Sequence, residues 1–80
     1  MSSNEPGELN SLAMQRLIRA VGPSVGPEAA RQALSTLGIH ELSSPTELLG
    51  FAEQLILRGG VFEAVGRGLK ISALLRGARA

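Results

Sequence analysis

The segment VGPSVGPE, residues 21–28, holds the same Val-Gly-Pro tripeptide twice with one serine between. Glycine reaches the left-handed backbone conformation that ends many helices, and a proline behind it blocks continuation. Proline also suits the first position of a helix, where its missing N–H has no partner to lose. The first copy therefore reads as a helix end at Gly22 and Pro23. The second reads as a helix beginning, with Gly26 as N-cap, Pro27 at the first helical position and Glu28 complementing the N-terminal dipole. Ser24 and Val25 fill the turn, which places one helix at 8–21 and a second at 27–37.

Side-chain periodicity supports both. In the first segment Leu9, Ala13, Met14, Leu17, Ile18, Ala20 and Val21 share one half of the helical wheel, and Glu8, Ser11, Gln15, Arg16 and Arg19 the other. In the second, Ala29, Ala30, Ala33, Leu34 and Leu37 oppose Glu28, Arg31, Gln32, Ser35 and Thr36. Gly38 ends it, and Ile39 stands where a Schellman cap lays an apolar residue over Leu34. A third helix, 45–58, opens on Ser44-Pro45-Thr46-Glu47, a capping box with proline at the first helical position. Its apolar face is Leu48, Leu49, Phe51, Ala52, Leu55 and Ile56, and Gly59-Gly60 closes it.

The last segment, 61–75, supports two readings. As a hairpin, VFEAV and LKISALL flank a Gly66-Arg67-Gly68 turn. As a helix, it sets Glu63, Arg67 and Lys70 on one narrow face, with Glu63 and Arg67 ordered as a favourable i,i+4 pair. Its apolar residues then cover an arc of roughly 200°, wider than a surface helix needs. A lone hairpin has no other strand in this chain to join, and two isolated strands are marginal, so the helix is preferred. The fold expected is all-α: a small four-helix bundle-like domain over 8–77, with the β-hairpin as the alternative for its fourth segment and short tails at 1–7 and 78–80.

Composition agrees with helices. There is no cysteine, tryptophan or tyrosine, and Phe51 and Phe62 are the only aromatic residues. The core must be aliphatic, with neither disulfide nor thiolate metal site to support it. The polar N-terminus lacks the order of a signal peptide, and no apolar run approaches the roughly 20 residues that span a bilayer. A cytoplasmic protein without membrane association is expected.

Little here supports catalysis. All seven acidic residues are glutamates and His40 is the single histidine. His40 falls in the turn between the second and third segments, where a solvated role is the ordinary one. Glu47 and Glu53 lie six apart, on different sides of their helix, which is poor spacing for a carboxylate pair. The glycine-rich turn lacks the order of a phosphate-binding loop. No catalytic residue, cofactor or metal is expected, and the chain is read as a non-enzyme.

Two binding functions remain. Up to residue 56 the chain has Arg16, Arg19 and Arg31 against six glutamates; after it, Arg58, Arg67, Lys70, Arg76 and Arg79 stand against Glu63 alone. That basic third makes a small helical nucleic-acid binder, chromatin- or regulator-like, the alternative reading, with those five residues as phosphate contacts. The preferred reading is a protein-protein interaction or self-assembly module, a homo-oligomer or an adaptor for another protein. Leu12, Leu57 and Leu74 each interrupt a polar arc, and the terminal helix has more apolar surface than one neighbour can cover. Gly66 and Gly68 would let a second helix approach closely. The expected interface is Leu12, Leu57, Gly66, Gly68, Ile71, Leu74 and Leu75.

Overall fold

The structure, a computed structural model, describes residues 6–79. It contains three α-helices: α1 (Pro6–Leu37), α2 (Pro45–Arg58) and α3 (Gly60–Leu75). The described residues include no strand, so the all-α class stands and the hairpin alternative for 61–75 does not. The first five residues and Ala80, assigned above to the tails, lie outside the described residues.

The four-helix expectation is corrected to three. The first two expected segments form one element, α1, whose two helical arms meet at Gly22, where a helix end was expected and where the one non-helical pair of torsions lies (φ 96°, ψ 168°). A residue before proline is pushed out of the helical region, and positive φ is accessible to glycine at little cost. Pro23 then opens the second arm at the position where its missing N–H loses nothing. One residue makes the corner, so Ser24 and Val25 are helical rather than turn residues. Gly26 is not an N-cap. A Cβ there would lie 3.1 Å from Ile18 N and 3.2 Å from Leu17 C, so this glycine is where the second arm meets the backbone of the first.

The loop after α1 is closed by a Schellman cap: Gly38 N–H donates to Ser35 O (3.0 Å) and Ile39 N–H to Leu34 O (3.1 Å). The same motif ends α3, where Gly77 N–H donates to Leu74 O (3.1 Å) and Ala78 N–H to Ala73 O (2.9 Å). Ala78, expected in the tail, consequently packs on the core. At the start of α2, Glu47 N–H donates to Ser44 Oγ (3.2 Å), as a capping box requires. The return bond differs from the expected one. Glu47 Oε1 accepts from Ser43, both its N–H and its hydroxyl, at 2.7 Å each. These donors hold the Glu47 carboxyl below the usual glutamate range, the Ser43 hydroxyl contributing most.

The core runs through all three helices and includes Leu9, Ala13 and Leu17 from the first arm of α1, Ala30 and Ala33 from the second, Leu48, Phe51, Ala52 and Leu55 from α2, and Leu69 and Ala73 from α3. Leu42, in the α1–α2 loop, is buried among them, and its N–H donates to Asn10 Oδ1 at 2.8 Å. The radius of gyration is 11.3 Å, against about 11.6 Å for a compact chain of this length. The core is closed without a partner.

Helix α3 lies on α2 at backbone distance. A Cβ on Gly66 would fall 2.6 Å from Ala52 O and 2.8 Å from Ile56 Cγ1, whereas a Cβ on Gly68 would meet only Arg16 Nη1, at 3.3 Å. Two glycines of one helix therefore have opposite requirements. Gly66→Ala is expected to destabilise by about 1–3 kcal/mol through overpacking against a carbonyl that cannot move alone. Gly68→Ala is expected to stabilise by up to ~1 kcal/mol through helix propensity, with the flexible end of Arg16 giving way. Urea midpoints of the two variants check both signs.

The Ser43–Glu47 cap has a pH signature. A depressed carboxyl contributes stability that is complete above its unfolded value, about 4.3, and is lost as pH falls through its lower folded value. Glu47→Gln is expected to cost up to ~1 kcal/mol at neutral pH and progressively less in acid. Thermal midpoints of wild type and variant should converge at low pH.

Candidate interaction surface

No polar or charged side chain is buried among the described residues, and no buried side-chain nitrogen or oxygen lacks a hydrogen-bond partner. No three His, Asp or Glu side chains converge among them with metal-holding geometry. His40 is exposed and lines a shallow cleft with Arg31, Leu34, Ser35, Gly38 and Ile39. That cleft is poorly suited to an anion. It lies at the C-terminal, negative end of α1, and Arg31 is already bonded to Glu28 at 2.6 Å. This pairing lowers the Glu28 pKa and raises that of Arg31, chiefly through the hydrogen bond.

The unusual surface is on α3. Its inward side is built from Phe62, Val65, Gly66, Leu69 and Ala73, and the small residues Gly66 and Ala73 let the helix sit close. With that side inward, the opposite arc carries Val61, Ala64, Arg67, Ile71, Leu74 and Leu75, all exposed. Ile71 is 61 % exposed and Leu75 84 %. Arg67 is the one charge on this arc. The polar face expected at Glu63, Arg67 and Lys70 therefore lies to one side of the outward direction, and Glu63 and Lys70 are half-buried. Leu57, 78 % exposed at the end of α2, lines a groove with Glu53, Ile56 and Lys70 and continues the apolar surface onto that helix.

Of the expected interface residues, Leu57, Ile71, Leu74 and Leu75 share this side of the molecule, and Gly68 is half-buried at its edge, beside Arg16. Two are placed elsewhere. Leu12 is half-buried against the core. Gly66 is buried against α2 of its own chain, so the close approach it permits is internal. Val61 and Ala64, which share the wide apolar arc of the sequence reading with Ile71 and Leu75 but are not among the expected interface residues, also lie on the outward arc.

The five basic residues do not converge. Arg58 donates to Gln32 Oε1 at 2.8 Å, and its guanidinium carbon sits 4.6 Å from the centre of the Phe62 ring. Arg67 pairs with Glu63, the i,i+4 pair expected above. Arg76 Nη1 lies 3.8 Å from Glu8 Oε1. Lys70 borders the Leu57 groove, and Arg79 lies beyond α3, its N–H 3.4 Å from Thr46 Oγ1. No helix among the described residues is long and apolar enough to cross a membrane.

No protein-family model, curated protein or solved structure matches the chain significantly.

A dispersed set of cations, with Arg58, Arg67 and Arg76 engaged within the chain, neutralises few phosphates at once. Duplex DNA is expected to bind no more tightly than a generic weak polycation, with Kd in the ~10⁻⁴–10⁻⁶ M range or weaker at physiological salt. Fluorescence anisotropy across a salt series checks this. A submicromolar, steeply salt-dependent complex would promote the nucleic-acid reading.

Proposed function

We propose that this chain is a non-enzymatic protein-protein interaction module whose contact surface is the outward face of α3 together with the end of α2. One observation carries the reading. The core is already closed, yet Val61, Ile71, Leu74 and Leu75 are exposed along the outward arc of α3 and Leu57 is exposed at the end of α2 beside Lys70, among the large apolar residues the fold leaves in water. Scattered exposed leucines are ordinary, but an apolar helix face bordered by charges is a binding feature. Fully burying one such side chain contributes about 1.5–3 kcal/mol, so three or four contribute a gain of the same order as the entropy cost of association.

The experiment is site-specific photocrosslinking in the source cell. A photoreactive residue replaces Ile71 in one variant and Ser35, exposed on the second arm of α1, in another. The expected result is a discrete protein adduct from position 71 that is absent from position 35 and is lost when Leu74→Asp is added. Equal labelling at both positions, or an adduct insensitive to Leu74→Asp, sinks the interaction reading. The adduct mass separates a second copy from a different protein.

A further inference from the structure

We propose that the occupant of the α3 face is a second copy of this chain, packed antiparallel about a two-fold axis near Arg67. This rests on the interaction reading above and adds the partner and its orientation. The first argument is shape. The outward face is asymmetric along its length. Its N-terminal half has Gly60, Val61 and Ala64, and Gly60, Glu63, Ala64 and Arg67 line a shallow, open depression of about 250 Å³. Its C-terminal half has Ile71, Leu74 and Leu75, large and exposed. An antiparallel pair places Ile71 of each copy opposite Ala64 of the other and Leu75 opposite Gly60, with Leu74 against Val61, twice by symmetry. A parallel pair sets large on large and leaves both depressions empty.

The second argument is charge. In antiparallel helix pairs like flanks face each other, and in parallel pairs opposite flanks do. One flank of the α3 face carries Glu63 and Lys70; the other carries Gly68 and Ser72, with Arg16 of α1 beside Gly68. The register that sets Ala64 against Ile71 also sets Glu63 of each copy against Lys70 of the other. In a parallel pair that pairing is lost, and Lys70 faces the flank where Arg16 stands, cation towards cation. Arg67, near the axis, meets its own symmetry mate, and each guanidinium is already countered by Glu63 of its own chain. Leu57 lies beside Lys70 on the charged flank and extends the contact onto α2.

A 16-residue helix is about 24 Å long, so the contact is at the small end of specific interfaces and the dimer should be weak and concentration-dependent. Sedimentation equilibrium of the purified chain from about 10 µM to 1 mM is expected to show the average mass rising from 8.3 kDa towards twice that value. Leu74→Asp is expected to remain at the monomer mass with its helical circular dichroism intact. The chain has no cysteine, so introduced thiols report orientation directly. Ala64→Cys mixed with Ile71→Cys should oxidise mainly to the mixed disulfide, several-fold over either like pair. A wild-type mass that stays monomeric at the highest concentration overturns self-association, and the photocrosslink to a different protein would then stand by itself. A dimer that persists in Leu74→Asp overturns the assigned face. A dominant Ile71→Cys homodimer overturns the antiparallel arrangement.

Discussion

The contact between Gly66 and the Ala52 carbonyl decides how the third helix sits, and through that what the molecule shows to its surroundings. Where a Cβ would fall 2.6 Å from a backbone oxygen, two helices are closer than any other residue permits. That approach fixes the rotation of α3. With Gly66 against α2, Leu69 and Ala73 follow into the core at helical spacing, and Phe62 and Val65 pack at its edge. The other apolar stripe of the same helix is then turned outward. A helix that is apolar over more than half its circumference has several faces it can bury, and hydrophobicity alone does not choose among them. A single close backbone contact does.

This explains which parts of the fold were legible in the sequence. Local signals translated well. The span 45–58 is α2 as read, with Ser44 capping it, and Gly38 and Ile39 form the Schellman cap the spacing predicts. Such features depend on neighbours a few residues away, and the chain carries them all. The Gly-Pro repeat was harder because two geometries satisfy the same residues. A stop, a turn and a start need Gly22-Pro23 and Gly26-Pro27, and so does one sharp bend with a backbone crossing. Choosing between them depends on residue 26 lying against residues 17 and 18, a tertiary fact. Leu42 was likewise invisible, since an apolar residue in a loop joins the core only because Asn10 accepts its N–H from another helix.

The candidate surface was partly legible for a related reason. Leu57 and Leu74 stand out on a wheel because each interrupts a polar arc, and both are exposed. Leu12 interrupts one as well, yet the bend at Gly22 and the packing of the first arm leave it half-buried. Gly66 and Gly68 look equivalent in the sequence, two small residues on one helix. In the structure they diverge, because a step of two residues turns a helix by roughly 200°, so one meets a backbone and the other a flexible arginine.

The outward stripe is also energetically separate from the fold. Side chains that sit in the closed core cannot be changed without loss of stability, since each removed methylene leaves unfilled volume. Ile71, Leu74 and Leu75 make few such contacts, and polar residues in their place would leave folding close to neutral while improving solubility. A sequence shaped by folding alone would drift towards polar residues there. In the proposed reading, leucine and isoleucine at these positions serve the encounter with another surface. They stand in the C-terminal half of α3, whereas Gly60 and Ala64 stand beside Val61 in the N-terminal half, so the surface is uneven along the helix. In the proposed dimer such a face would meet its own reverse, so a single stripe of side chains would supply both halves of a two-fold contact.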